Sequence, residues 1–224
     1  MSIEVRRAAD RYLTEIAGRS TAHSFSFGEH YDPSNLGFGA IIAHNDELLA
    51  RGAGYDDHVH RDTEIVTWVL TGALRHTDDL GHSAIVVPGQ LQVLSAGSGV
   101  THAETNAADR PTRFIQTWLR PDAPSLTPKY TVESVLEADG WTVLAGPGGI
   151  PLNTTGATLY LGHLGAETLA LPQARLLHVF VTDGAIALGE REIRSGSAAR
   201  LIDEGGRLIQ PTGPDATVLV WALD

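Results

Sequence analysis

The sequence predicts an all-β protein built from antiparallel sandwiches or barrels in two similar halves. From Phe38 onward, runs of apolar and β-branched residues alternate with glycine, aspartate and proline at intervals of about ten residues. The 224 residues, 42% hydrophobic and 19% charged, suffice for one large domain or two smaller ones. The 24 glycines and the low charge content are typical of a turn-rich globular chain rather than a coiled coil.

A short helix is expected before the first strand. Ala8, Tyr12 and Ile16 are spaced four apart, as on one face of a helix, and Gly18 supplies a stop. We therefore predict a packing helix over residues 5–17.

Eight strands are expected in the first half, and most are separated by turns rich in glycine or aspartate. They cover 39–43, 47–51, 58–70, 73–77, 84–87, 91–95, 100–106 and 113–119. No helical pattern interrupts this series, so the connections should be antiparallel.

Proline and glycine cluster between residues 121 and 157, which is typical of a passage between domains. A second series of strands is expected at 158–164, 167–171, 176–182, 185–188, 190–193, 198–202, 207–210 and 217–223. Each half contains a strand, a glycine turn and a strand, at Gly72 and at Gly184, which is a weak internal repeat. We predict two domains, residues 1–125 and 126–224.

Charge and hydropathy exclude several classes of function. The net charge of −11 repels a phosphate backbone, so direct binding of nucleic acid is not expected. No apolar run is long enough to span a membrane, and residues 1–7 lack the apolar core of a signal peptide. We expect a cytoplasmic protein without a membrane partner.

Histidine carries the chemistry, because the chain has no cysteine and any metal must bind nitrogen or oxygen. His58 and His60 are two residues apart, and His102 and Glu104 repeat that spacing. On strands both members of each pair point to the same side, so two strands of a barrel could present three imidazoles and one carboxylate to its interior. The same pattern also fits polar residues on the solvent face of an antiparallel sheet, and spacing alone leaves both interpretations open.

Two segments resemble the motifs of the cupin superfamily. Residues 52–64, followed by Gly72, resemble the first cupin motif, with its glycine, His-x-His, glutamate and closing glycine. Pro88-Gly89 and residues 97–106 resemble the second motif in the form found in the pirin family. Four further segments are similar to bacterial pirin-like proteins: 23–27, 31–33, 37–39 and 127–130.

The resemblance implies a bicupin, two antiparallel β-sandwich or jelly-roll barrels with short helices. It implies that the N-terminal domain, 1–125, holds a metal through His58, His60, His102 and Glu104. The C-terminal domain, 126–224, should lack metal ligands, since its histidines are isolated, with no His-x-His spacing.

Three imidazoles and one carboxylate suit Fe(II) first, with Mn, Ni, Cu or Zn as alternatives, and leave positions open for substrate or dioxygen. The resemblance implies a dioxygenase that opens the heterocycle of quercetin-type flavonols with O2, in which Glu104 also takes the proton of the substrate hydroxyl. The alternatives are a metal-sensing or redox-sensing protein that binds a transcription or metabolic protein partner, and a structural bicupin whose metal has no role in turnover.

Other polar and aromatic residues receive structural assignments. Glu64 should be structural, or should orient a ligand imidazole. His76 and His82 flank a turn and are expected to be solvated loop residues. The aromatic residues assigned to core packing are Trp68, Phe114 and Trp118.

Overall fold

The computed structural model describes residues 1–136 and 138–224, and it confirms the all-β fold class. The described residues form nineteen strands and one 3-10 turn, Ala8–Asp10. Two compact units result: the larger unit, Tyr12–Val135 with Leu152–Thr155, and the smaller unit, Met1–Arg11 with Leu136–Pro151 and Gly156–Asp224. The domain limits of 1–125 and 126–224 stay a prediction.

In chain order the strands are β1 Ser2–Arg6, β2 Tyr12–Ile16, β3 Arg19–His23, β4 Ile41–Leu49, β5 Gly54–His60, β6 Glu64–Thr71, β7 Leu74–Asp78, β8 Ser83–Val86, β9 Gln90–Ser95, β10 Val100–Asn106, β11 Thr112–Leu119, β12 Lys129–Ser134, β13 Gly140–Ala145, β14 Ala157–Leu164, β15 Leu169–Ala170, β16 Leu176–Leu188, β17 Arg191–Arg194, β18 Ala198–Ile202 and β19 Leu208–Leu223.

The larger unit consists of two antiparallel sheets. One has seven strands in the order β12-β9-β6-β11-β4-β3-β2, and the other has four in the order β5-β10-β7-β8. Two apolar clusters pack within this unit and bury side chains from both sheets. Burial of this apolar surface is the main favourable contribution to folding of the unit. Their fully buried members are Leu49, Val69, Leu74, Val86 and Phe114 in one cluster, and Ile65, Leu94, Ala96 and Val100 in the other.

The smaller unit is a single antiparallel sheet whose main path is β1-β18-β16-β19-β14-β13. The two longest strands, β16 and β19, pair along most of their length, and their register shifts twice, between Val181 and Asp183 and between Gly184 and Ile186. Such shifts bend long strands and let one sheet curve around its own apolar side chains.

The predicted helix over residues 5–17 is wrong. This segment contains the end of β1, the 3-10 turn and the strand β2, which pairs with β3 from Tyr12↔His23 to Ile16↔Arg19. Residues four apart also share one face of a strand, because four is a multiple of the strand period of two. The spacing of Tyr12 and Ile16 therefore did not distinguish the two structures, and pairing with β3 decides the conformation.

The single strand predicted over residues 58–70 is two strands that belong to different sheets, β5 and β6. The chain turns between them at Asp62, whose φ of 51° lies in the left-handed region that aspartate tolerates better than most residues. The Asp62 N–H donates to the carbonyl of Gly97 at 2.8 Å, which fixes the crossing. Among the described residues, no helix has the length and apolar character needed to cross a bilayer.

Candidate metal centre

Strand β10 places the predicted site residues on one buried face. Its side chains alternate, so that Val100, His102, Glu104 and Asn106 are buried while the residues between them are more exposed. Across the pairing with β5, His102 lies opposite His58, and Val100 lies opposite His60. The exposed fractions of His102 and Glu104 are only 1% and 2%. The alternative that these two residues lie on the solvent face of a sheet is therefore wrong.

The β5–β10 pairing contains a bulge that shapes this face. His102 pairs with His58, but Glu104 pairs with Tyr55 rather than with Asp56, so β5 carries one extra residue at this point. A bulge changes the direction of the side chains that follow it. It places Tyr55 directly opposite Glu104.

The structure brings His58, His60 and His102 together. One nitrogen from each ring lies within 4.8 Å of the others, and the ring centroids are 4.4 to 5.0 Å apart. His58 Nδ1 is 2.7 Å from the carbonyl oxygen of Asp56. A carbonyl oxygen can only accept a hydrogen bond, so Nδ1 carries the hydrogen, and in the neutral ring Nε2 keeps its lone pair. His102 Nε2 is buried and makes no hydrogen bond in the described part of the chain.

The imidazoles of His60 and His102 are neutral at pH 7. Burial, together with the neighbouring imidazoles of His102 and His58, lowers the pKa of His60 to about 4. Burial and the rings of His58 and His76 lower the pKa of His102 to about 3. Neutral imidazoles with a buried, unpartnered nitrogen suit a divalent transition metal. The residues present therefore fit such an ion.

Glu104 lies beside His102, in a second group of potential ligands whose third member is His76. Glu104 Oε1 accepts a hydrogen bond from Gln92 Nε2, and Oε2 accepts one from Gln116 Nε2, each at 2.8 Å. The two amides come from the seven-stranded sheet and fix the orientation of the carboxylate. The role of Glu104 as ligand and base stays a prediction.

His76 is the neighbour that sequence reasoning missed. The prediction of a solvated loop residue is wrong for His76, because it lies on β7 opposite Glu104 and is fully buried. The signal was present: Leu74, His76 and Asp78 alternate with more exposed residues, as on a half-buried strand. His82 does lie in the turn that follows, with 41% of its side chain exposed.

A cavity of about 670 Å³ lies in the larger unit, and His58 is the member of the histidine cluster that lines it. His58 and Glu104 lie on its wall. Trp118 is assigned from the sequence to the core. Its ring also lines this cavity and meets the ring of His60 edge-on, with centroids 4.7 Å apart, so the core assignment is incomplete. The predictions for Trp68 and Phe114 are confirmed, since both are buried. The other lining residues include apolar Leu13, Ile16 and Phe27 and polar Thr21, Asn45, Glu47 and Tyr55.

Glu47 is a buried acid on this wall that the sequence did not indicate. Thr21 Oγ1 donates to Glu47 Oε2 at 2.5 Å, and the Tyr55 hydroxyl donates to the same oxygen at 2.7 Å. Burial raises the pKa of Glu47 to about 7, although these hydrogen bonds oppose the shift. No motif marks it, because only the fold of β4 brings it to the cavity.

Glu64 has a structural role in this unit. Its Oε2 accepts hydrogen bonds from Ser95 Oγ at 2.8 Å and from the backbone N–H of Asn153 at 3.1 Å. These contacts attach the segment Leu152–Thr155 to β6 and β9. Both groups of potential metal ligands found among the described residues lie in the larger unit, whereas His163 and His178 lie singly on β14 and β16.

The fold is all-β, and one sheet face gathers histidines and a carboxylate beside a cavity. These features define a cupin-type protein with a candidate metal centre. The chain belongs to the pirin family, whose sequence model, described as Pirin, matches residues 4–119.

Known proteins are similar to this chain in sequence or in structure. A Mycobacterium tuberculosis protein named "Putative quercetin 2,3-dioxygenase Rv0181c" is 41% identical over 99% of this chain and 95% of its own length. The "Quercetin 2,3-dioxygenase" of Escherichia coli K12 is 36% identical over 57% of this chain and 56% of its own length. The solved structure of the E. coli bacterial pirin YhhW in complex with nickel(II) superposes with a TM-score of 0.91 and 26% identity, covering 99% of each chain.

Proposed function

We propose that this chain is a metal-dependent dioxygenase that opens the heterocycle of quercetin-type flavonols with O2. In this proposal His58, His60, His102 and Glu104 hold the metal, and Fe(II) is the native ion. The observation that carries the proposal is a cluster of three imidazoles, one of which, His58, lies on the wall of a cavity of about 670 Å³. A cavity of this size is in the usual range for small-molecule sites. The names of the relatives support the same reaction.

The aromatic wall of the cavity suits a flat polyphenol. The rings of Phe27 and Trp118 meet at a centroid distance of 5.1 Å and an angle of 67°. Aromatic faces of this kind bind another ring by dispersion and by favourable quadrupole contacts, and they exclude water from the reacting end. Leu13 and Ile16 extend the apolar surface and are about half exposed, so they lie where a substrate can enter.

The three histidines present nitrogen lone pairs from one buried sheet face. A divalent metal bound there supplies a Lewis acid that polarises a substrate oxygen and a centre that dioxygen can reach. Glu104 lies on the cavity wall beside His102, held by Gln92 and Gln116. In the proposed reaction a carboxylate oxygen of Glu104 accepts the hydroxyl proton of the flavonol, which leaves the substrate as an electron-rich anion.

The proposal is tested by metal analysis and flavonol turnover. The purified protein is freed of metal, reloaded separately with Fe(II), Mn, Ni, Cu or Zn, and mixed with quercetin while flavonol absorbance and dissolved O2 are recorded. We expect equimolar loss of both, fastest with Fe(II). His58→Ala should lose metal and turnover, while His163→Ala, a matched change on β14, should retain both. Absence of flavonol consumption with all five metals would overturn the proposed reaction.

A further inference from the structure

A chain of hydrogen bonds runs from a turn of the four-stranded sheet to the ligand His102. Nδ1 of His102 lies 3.3 Å from Nδ1 of His76, and Nε2 of His76 lies 3.2 Å from Oδ2 of Asp78. The side chains of His76 and Asp78 have no exposed surface. Asp78 Oδ2 also lies 2.8 Å from Nδ1 of His82. Because the side chains of His76 and Asp78 are buried, the direction of each hydrogen bond between them is set by which atoms can donate and which can accept.

The carboxylate of Asp78 fixes the direction of both hydrogen bonds. A carboxylate only accepts hydrogen bonds, so Nε2 of His76 carries a hydrogen and donates it to Asp78. In the neutral ring, Nδ1 of His76 then holds a lone pair and accepts from Nδ1–H of His102. His102 must therefore keep its own lone pair on Nε2, the buried nitrogen without a hydrogen-bond partner that lies in the group with His58 and His60.

We propose that Asp78 and His76 are positioning residues, which set the tautomer of His102 so that Nε2 is ready to bind a metal. This inference rests on the ligand set of the proposed function, but not on its substrate. A carboxylate that orients a ligand imidazole directly is a common arrangement, whereas here a second histidine transmits the preference of the carboxylate. His76 is not itself a ligand in this proposal, because both of its nitrogens are already engaged.

Both positioning residues are held rigidly by their surroundings. Asp78 Oδ1 accepts the backbone N–H groups of Leu80 and His82, at 3.1 and 2.9 Å, so the turn holds the carboxylate in place. The ring of His76 stacks on Tyr130, with centroids 4.2 Å apart and planes 12° from parallel. His76 can therefore exchange its two nitrogens only by breaking this stack and both of its hydrogen bonds.

Asp78→Asn reverses the direction of the hydrogen bonds with little change in the shape of the side chain. The two turn N–H groups keep the amide oxygen at the position of Oδ1, so the amide nitrogen takes the position of Oδ2, which contacts both His76 Nε2 and His82 Nδ1. The amide nitrogen has two hydrogens, so it donates one to His76 and one to His82. His76 then donates from Nδ1 to His102, which moves the hydrogen of His102 to Nε2 and weakens metal binding. Asp79→Asn is the matched control, because Asp79 is exposed, carries the same charge and accepts from the N–H of Thr101.

The first measurement uses the metal-free protein. Long-range ¹H–¹⁵N spectra of the imidazoles should show the hydrogen of His102 on Nδ1 in the wild type and in Asp79→Asn, and on Nε2 in Asp78→Asn. The second measurement is Ni(II) affinity by competition with a chromophoric chelator. Asp78→Asn should bind about 10- to 100-fold more weakly than the wild type, and Asp79→Asn should stay within about twofold.

Two substitutions of His76 separate positioning from packing and from ligation. His76→Phe keeps the stack on Tyr130 but removes both nitrogens, and it should weaken Ni(II) binding by about 10- to 100-fold. His76→Gln can still accept from His102 and donate to Asp78, so it should recover most of the affinity. A packing role predicts the opposite order. A ligand role predicts equal losses in both variants, and either result would overturn the inference.

The inference and the proposed function fail in different ways. Wild-type protein that binds Ni(II) through His58 but is insensitive to Asp78→Asn and His76→Phe overturns the positioning role alone. An Nε2–H tautomer of His102 in the metal-free wild type does the same. Wild-type protein that binds none of the tested metals overturns the ligand set. Normal Ni(II) binding without flavonol turnover overturns only the proposed reaction.

Discussion

Replacing Glu47 by glutamine removes a buried acid whose ionisation opposes folding. Only 2% of this residue is exposed, and burial raises its pKa from 4.5 to about 7. The native state therefore holds the proton more tightly than the unfolded chain does. Below pH 4.5 the Glu47 carboxyl is protonated in both the native and the unfolded state. Between pH 4.5 and 7 it releases its proton only in the unfolded state. The stability that Glu47 contributes is therefore lost as pH rises through this range. A difference of this size corresponds to about 3 kcal/mol.

The assay compares urea unfolding of the metal-free wild type and of Glu47→Gln at several pH values from 4 to 8.5. The difference between their free energies of unfolding should shift by about 3 kcal/mol in favour of the variant across this range, with the midpoint of the change between pH 4.5 and 7. Titrating groups that do not interact with Glu47 are common to both proteins and cancel in the difference. Glu104 interacts with Glu47, so its coupling to Glu47 is part of the measured difference. A difference that stays constant within 1 kcal/mol would show that Glu47 ionises as easily in the fold as in the unfolded chain.

Three further predictions follow from the same site and its support. Trp118→Ala removes the ring that walls the cavity, so the KM for quercetin should rise about tenfold in steady-state assays; an effect on kcat alone would contradict a binding role. Glu104→Gln should lower kcat for quercetin at least about 100-fold even in protein whose metal content has been measured and restored, and unchanged turnover would remove Glu104 as the base. Phe114→Ala should cost about 3–5 kcal/mol of unfolding free energy in urea, since this ring is fully buried; a loss below 1 kcal/mol would show that the cluster repacks.

Local periodicity predicted the part of the site that depends on a single strand. His58 with His60, and His102 with Glu104, lie on strands at the spacing that puts both members on one face, and the structure places them so. The resemblance to the pirin family implies the same four residues as ligands. What the periodicity did not decide was whether this face is buried, because that depends on the second sheet.

Features that depend on pairing between distant segments could not be predicted. Nothing in the spacing of residues 5–17 distinguishes a helix from a strand, since the outcome depends on pairing with β3. The break at Asp62 requires a left-handed backbone conformation that many aspartates never adopt. Glu47 and Trp118 reach the cavity only because β4 and β11 are neighbours in the seven-stranded sheet.

Tyr130 explains why both sheets are needed to build the centre. Its ring stacks on His76, which bonds to His102, and its hydroxyl donates to Gln92 at 2.9 Å, the amide that donates to Glu104. The imidazole and the carboxylate of β10 are thus supported by one side chain on β12, an edge strand of the opposite sheet. Because His102 and Glu104 depend on the same ring, a displacement of β12 would disturb the two predicted ligands together. This places a structural constraint on residues 127–130, a segment that carried the family resemblance without an evident role in the sequence.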